Sequence, residues 1–255
     1  MAARGAGSRD PRGRLDVEHL VARSRRPRSM WVAGALRSGA RIGAVVAGAF
    51  LLLVVLLRIA PPPLTPLMLR NAFSYGVTKQ WVDLDRIAPA LVRAVIAAED
   101  ARFFQHHGVD WGAIGRARDY NARHGDEPRR GGSTITMQCA RNVFLWQGKS
   151  YLRKALEIGV AHVLELVWGK RRILEMYLNV IEWAPGVYGA EAASRASFGV
   201  PAAALDARQA ALLAAALPNP HRWMPAYPTR HLLARASVIE RRAAHVRLGA
   251  IVARP

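Results

Sequence analysis

The 255-residue sequence predicts a mainly α-helical fold with one N-terminal transmembrane helix. Three observations carry that prediction. An uninterrupted apolar run extends from Ile42 to Leu57, and with Ile59 and Ala60 it approaches the ~20 residues that a bilayer-spanning helix needs. Farther on, apolar residues recur at helical spacing, first at Leu91, Val92, Val95 and Ala98 and again at Leu152, Leu156, Val160, Val163 and Val167. Strand alternation is scarce, the best candidate being the short stretch from Val77 to Val82.

Residues 1–41 hold ten arginines against three acidic residues and lack a sustained hydrophobic period, so they read as a basic tail too polar to fold alone. Residues 42–60 form the anchor. The tail before it is far longer than the charged start of a secretory signal, and no small-x-small cleavage site follows, which favours an uncleaved anchor. Only Arg70, Lys79 and Arg86 lie in the thirty residues after Ala60, so the arginine asymmetry places the tail in the cytoplasm and everything after Pro61 outside. Pro61-Pro62-Pro63 begins a membrane-proximal linker that runs to residue 79. The whole chain carries a net charge of +19, from 37 Lys and Arg against 18 Asp and Glu, which implies a polyanionic partner: nucleic acid, an anionic membrane or a phosphate-bearing substrate. A single cysteine, Cys139, excludes an intramolecular disulfide, and its neighbours suit packing better than nucleophilic chemistry.

The helical run that Pro89 opens delivers two adjacent carboxylates, Glu99 and Asp100, followed by Phe103, His106 and Gly108. A carboxylate at such an edge is partly desolvated, which raises its pKa toward general-base duty; taken alone, the pair equally fits a solvated helix end. Trp111 to Arg130 is polar and basic and reads as a long loop beside this motif. Gly131-Gly132-Ser133-Thr134 then opens a helix whose free N–H groups suit an anion, with Ser133, Thr134, Gln138 and Arg141 as further donors. Gly148-Lys149-Ser150 resembles the end of a phosphate-binding loop, but Val143 stands where that motif needs glycine. From Tyr151 to Trp168 a helix sets Arg153 and Lys154 four and three residues before Glu157, a carboxylate held among cations. The helix around Ile173, Leu174, Tyr177 and Leu178 reads as structural. Gly186 and Gly189 mark a turn before a small-residue helix, and residues 231–255 read as a basic amphipathic helix lying on anionic lipid or on the domain itself.

Five blocks in order resemble the peptidoglycan glycosyltransferases, most closely the monofunctional biosynthetic transglycosylases. They are Glu99-Asp100-x-x-Phe103-x-x-His106-x-Gly108, Gly132-Ser133-Thr134-Ile135-Thr136-x-Gln138, Arg153-Lys154-x-x-Glu157, Lys170-x-x-Ile173-Leu174-Glu175-x-Tyr177-Leu178-Asn179, and the Gly186-to-Gly199 block. The resemblance covers about residues 80–230. It implies a lysozyme-like glycosyltransferase domain with a membrane-dipping subregion, facing the periplasm from a single-pass anchor in the bacterial inner membrane. It implies lipid II and the growing lipid-linked glycan as substrates, other cell-wall synthesis proteins as partners, no nucleic acid and no organic cofactor. Glu99 is then the base and Glu157 the second catalytic carboxylate, orienting cations or holding a divalent Mg or Mn ion. Asp100, Phe103, His106, Ser133, Thr134, Gln138, Arg141, Arg153 and Lys154 are then the substrate-binding set. The sequence departs from the pattern at Met137, where a glutamine is usual, at Arg141 for lysine, at Ala184 for glycine and at Ser197 for an aromatic residue. No Ser-x-x-Lys with a later Lys-Thr-Gly appears, so no transpeptidase activity is expected.

Two other readings remain open on the sequence. A membrane-anchored muramidase or lytic transglycosylase would use Glu99 as a general acid, with two carboxylates roughly 5–10 Å apart. A non-enzymatic anchored scaffold would use the positive charge to hold anionic cell-wall polymer or lipid. The cations around Glu157 and Arg141 suit a diphosphate and would be idle in a hydrolase.

Overall fold

The computed structural model describes residues 28–125, 131–148 and 150–249. Most of the expected basic tail, the Glu127–Arg130 end of the expected loop, Lys149 and the last residues of the expected C-terminal helix lie outside these. The chain divides into two compact units, Met1–Leu53 and Val54–Pro255. Helix α1 (Arg28–Ile59) crosses that division, and its Leu36–Ile59 part is long and apolar enough to cross a membrane. Ile42 and Val46 are each more than 60% exposed, as expected of side chains with no protein core around them.

Within the second unit the C-terminal end of α1 and the residue after it meet the domain through backbone carbonyls. Trp168 Nε1 donates to Val54 O at 2.7 Å, and Arg172 Nη2 donates to Leu57 O and Ala60 O at 2.8 and 3.0 Å. A guanidinium at a helix C-terminus meets both the orphan carbonyls and the negative end of the dipole. Helix α2 (Pro66–Tyr75) follows, capped by Thr65, within the stretch read from sequence as a linker.

Helix α3 (Pro89–Glu99) is the axis of the domain. Proline at its start costs no internal hydrogen bond, and Leu91, Val92, Val95 and Ile96 are all buried. It packs against α9 (Ala207–Ala216) and α10 (Arg230–Ala243). Helix α4 (Trp111–Arg123) replaces most of the expected loop. Asp110 caps it, accepting from Ala113 N at 2.8 Å, and only Ala117 is buried on it, so almost no apolar stripe betrays it in the sequence. A second layer packs α5 (Ile135–Phe144) against α6 (Tyr151–Val167) and α7 (Gly169–Val180), and α8 (Ala190–Phe198) follows.

The strands are minimal. β1 (Thr78–Lys79) pairs in parallel with β3 (Val187–Tyr188), and β3 pairs antiparallel with β2 (Glu182–Ala184), giving the order β1-β3-β2. The mainly helical expectation holds. Asn179, fully buried, closes this region by donating to Val82 O and accepting from Val82 N, as a neighbouring strand would. Glu175 accepts from Leu84 N, so the Glu175-to-Asn179 block braces the fold.

Helix α10 lies on the domain, with Leu232, Ala236, Ile239 and Ala243 buried, and it ends at Ala243. Helix α6 corrects another expectation. Leu152 and Leu156 are 66% and 41% exposed, whereas Arg153 and Glu157 are buried. Its N-terminal half is turned inside out, with apolar side chains outward and charges inward.

Candidate active site

Glu99 is the last residue of α3, and Asp100 leaves the helix with non-helical backbone. Asp100 is a brace. Both of its oxygens lie 3.0 Å from His106 Nε2, and Oδ2 also accepts from Ile135 N, tying the end of α3 to the start of α5. Gly108 closes the segment at φ +88°, with its α-carbon so near the α6 backbone that an added Cβ would stand 3.0 Å from Ala161 O. Thr134 donates to Gly108 O at 2.5 Å and caps α5 by accepting from Met137 N. These contacts fix the angle between the two motifs.

Glu99 itself is left with one strong partner. Gln138 Nε2 donates to its Oε2 at 2.7 Å, and Tyr177 OH donates to the other end of the same amide, Oε1, at 3.1 Å. Burial pushes the Glu99 carboxyl above the ordinary glutamate range, opposed by the Gln138 bond and by the charges of Arg235 and Arg141, while Asp100 adds to the rise. A cleft of about 220 Å³ opens between Glu99, Asp100, Arg102, Asp110 and Arg116 on one side and Gly131–Thr134 on the other.

Ser133 connects this cleft to the second carboxylate. Lys154 Nζ donates to Ser133 Oγ at 3.0 Å and to Glu157 Oε1 at 2.8 Å, and Arg153 Nη1 pairs with Glu157 Oε2. The Glu157 side chain is 1% exposed and Lys154 37%, so the lysine is the member of the trio that reaches solvent. Arg153 Nε is taken by Gly148 O. A carboxylate between two cations fixes their positions while leaving net positive charge.

A family model described as transglycosylase matches residues 68–244. The biosynthetic peptidoglycan transglycosylase of Rhodospirillum centenum is 52% identical over 218 residues, covering 84% of this chain and 94% of that protein. Those of Brucella suis and Pseudomonas fluorescens are 50% and 48% identical, with 76% and 75% of this chain and 86% and 82% of theirs covered. The chain belongs to the transglycosylase family.

In this transglycosylase the sequence-derived site residues divide into three groups. Glu99, Asp100, Ser133 and Thr134 line one cleft. Gln138 and Arg141 line a neighbouring cleft of about 150 Å³ with Tyr177 and Glu182, where the buried Arg141 Nε lacks a partner among the described residues. Arg153, Lys154 and Glu157 reach the first cleft through Ser133.

Two of the residues expected to bind substrate do not line either cleft. Phe103, expected to touch substrate, is fully buried with Lys170 Nζ 4.3 Å from its ring centre, so it supports the motif from behind. His106 likewise faces Asp100, with its side chain 8% exposed. Met137 is also buried, clustered with Val109 and Ala161, so its departure from glutamine changes the core and leaves the cleft alone. Cys139 is buried and its thiol pKa is pushed up by desolvation, which makes it inert.

Sequence reasoning missed Arg235, whose charge acts on the Glu99 carboxyl, and read Tyr177 as structural only. Glu157 does not fit a divalent ion as it stands, because both oxygens are occupied by cations and the group is sealed from solvent. Among the described residues, no three His, Cys, Asp or Glu side chains gather to hold a metal.

Proposed function

We propose that this transglycosylase polymerises lipid II, a disaccharide-pentapeptide carried on undecaprenyl diphosphate, into β-1,4-linked glycan. The observation that carries the reading is a desolvated carboxylate, Glu99, opening onto a cleft whose Ser133 is held by Lys154, one of two cations braced by Glu157. Such a site suits a reaction in which a hydroxyl loses a proton while a diphosphate gains charge.

Glu99 takes the proton of the acceptor 4-hydroxyl as that oxygen bonds to the donor's anomeric carbon from the face opposite the diphosphate. The carbon–oxygen bond to the diphosphate breaks, the centre inverts, and undecaprenyl diphosphate leaves with the electron pair. Diphosphate needs no acid to depart; it needs nearby positive charge, which Lys154, Arg153 and Arg141 supply. General-base catalysis contributes about 10²–10⁴-fold in such sites. Gln138 and Tyr177 hold Glu99, and Asp100 with His106 fixes its backbone. A resident metal is not required by this scheme.

The chain is anchored by α1 with its arginine-rich tail in the cytoplasm and its catalytic domain in the periplasm. The outward apolar side chains Tyr151, Leu152 and Leu156 on α6, with Leu69 and Phe73 on α2, dip into the bilayer and bring the cleft to a lipid-borne substrate. Its partners are the membrane, lipid II, the growing glycan and other cell-wall synthesis proteins.

The deciding experiment incubates purified full-length protein with lipid II in detergent, with and without a chelator, and looks for lysozyme-sensitive polymer. Glu99→Gln runs alongside. Polymer from the wild type alone supports the reading and makes Glu99 the base. Cleavage of preformed glycan without polymerisation would establish the hydrolase instead, and neither activity would leave the scaffold.

A further inference from the structure

A second and larger cleft, of about 500 Å³, lies against the Ala101-to-Gln105 turn and the end of α10. Ala101 and Arg102 line both this cleft and the one that holds Glu99, so the two adjoin. Its chemistry differs from that of the catalytic cleft. Arg102, Arg242, Arg247 and His245 line it, with no aspartate or glutamate among the lining residues. Arg102 is partly committed, donating from Nε to Gln105 and lying 3.6 Å from Asp110. Arg242 and Arg247 have no acidic partner among the described residues. Ile96, Ala97 and Phe104 add apolar surface.

An apolar wall beside unpaired guanidinium groups matches an amphipathic anion, and planar guanidinium pairs best with carboxylates, two hydrogen bonds at a time. We propose that this cleft is a subsite for the carboxylate-bearing peptide of the substrate whose sugar lies over Glu99. The inference rests on the lipid-linked disaccharide-peptide reading above. A pentapeptide ends in a free carboxylate, and a substrate held at Glu99 needs only to pass Ala101 and Arg102 to bring its peptide here. A membrane surface is the weaker match. Large exposed apolar side chains mark α1, α2 and the start of α6, whereas the 242–247 stretch presents none.

The test uses the full-length double variant Arg242→Ser/Arg247→Ser, which alters two exposed side chains away from the base and its cations. Wild type and variant are each assayed with lipid II and with lipid II whose peptide carboxylates are amidated. A soluble muramoyl pentapeptide is titrated in parallel by calorimetry. The expected result is a KM about tenfold higher in the variant, equivalent to ~1.4 kcal/mol, with kcat unchanged. Amidation should produce the same rise in the wild type and no further rise in the variant, and peptide binding should be lost in the variant. Equal peptide binding by both proteins would overturn the subsite whether or not polymer forms. Loss of binding to anionic vesicles with unchanged peptide binding would assign the cleft to lipid instead. Failure of the wild type to polymerise, with peptide binding intact, would count against the reaction and leave the subsite standing.

Discussion

Gln138 Nε2 stands 2.7 Å from Glu99 Oε2. A donor at that distance stabilises the ionised carboxylate against the burial that pushes its pKa up. Replacing it by Gln138→Leu removes the opposing influence, so the Glu99 pKa rises further. The base works only when deprotonated, so activity falls as pH drops through that pKa. The acid limb of kcat/KM should therefore move to higher pH. A hydrogen bond to a charged group contributes about 1.5–3 kcal/mol, which corresponds to at least about one pH unit. A pH–rate profile of the variant checks the size and the sign, and an unmoved acid limb would dissociate Gln138 from the base. Asp100, Arg141, Arg235 and Tyr177 also act on this carboxyl and stay in place in the comparison.

Tyr177 determines which end of the Gln138 amide meets Glu99. Its buried hydroxyl donates to Oε1, so the NH₂ group must face the carboxylate. In Tyr177→Phe the amide is free to turn and present its oxygen to Glu99, which disfavours the ionised form. The expected shift has the same direction as in Gln138→Leu and is smaller, with kcat/KM at neutral pH down by about threefold to tenfold, in keeping with ~1 kcal/mol for one neutral hydrogen bond. An effect on melting temperature without movement of the acid limb would show that Tyr177 acts through packing alone.

Glu99 also imposes a cost on folding. Its folded pKa lies above the unfolded value, so between the two the native state binds more protons and stability falls as pH rises. Above the folded pKa the full penalty is present; below the unfolded pKa it is absent. Glu99→Gln, a neutral group of the same shape, should melt about 2–4 °C higher than wild type at pH 7, as expected for ~1 kcal/mol in a chain of this size. The difference should vanish at pH values below the ordinary glutamate range. Thermal melts of both proteins across pH test this without any substrate.

Legibility of the site from sequence followed the range over which each contact is made. Arg153, Lys154 and Glu157 lie within one helical turn, so their spacing sufficed to bring them together. Gln138 lies 39 residues from both Glu99 and Tyr177, and their meeting is set by how α5 rests on α3 and α7. Arg235 comes to Glu99 from still farther along the chain, on a helix whose sequence shows only basic amphipathicity. Periodicity also reveals that a stripe exists without saying what it faces. Leu152 and Leu156 belong to the expected stripe of α6, yet they point outward because the inward face there is occupied by Arg153 and Glu157. In α4 the opposite holds: with Ala117 alone buried, the periodic signal is too weak to mark a helix, and its Asp110 cap is visible only in the structure.

The Glu157 trio separates stability from catalysis. Arg153 is 9% exposed at its side chain and depends on Glu157 for compensation. Glu157→Gln leaves a buried cation unpaired and should destabilise the fold by about 3–5 kcal/mol. Lys154→Met removes the member that reaches solvent and holds Ser133 at the cleft. Because that side chain is 37% exposed, its ion pair is worth ~1 kcal/mol or less. Its turnover should nevertheless fall by about 10²–10³-fold, the usual effect of losing one preorganised group that stabilises developing charge. Melting temperatures set beside single-turnover rates resolve the two effects, and a Lys154→Met enzyme of normal rate would remove the lysine from the reaction.

Gly132 is where the loop bearing Ser133 presses hardest on the rest of the domain. A Cβ built there would stand 2.8 Å from the Ile114 α-carbon and 3.0 Å from the Ile114 nitrogen, both backbone atoms of α4 that have no rotamer to escape through. Gly132→Ala therefore forces either the loop or α4 to move, a misfit of the kind that costs about 1–3 kcal/mol. The loop is the softer of the two, because α4 is held by the Asp110 cap. Moving it carries Ser133 away from Lys154 and Thr134 away from Gly108, contacts of 3.0 and 2.5 Å. Activity should drop by at least about tenfold, out of proportion to the modest fall in melting temperature. Gly131→Ala is the matching control, since a Cβ at that position meets nothing within 4 Å. If both variants behave alike, the close approach of Gly132 to α4 has no part in holding the site.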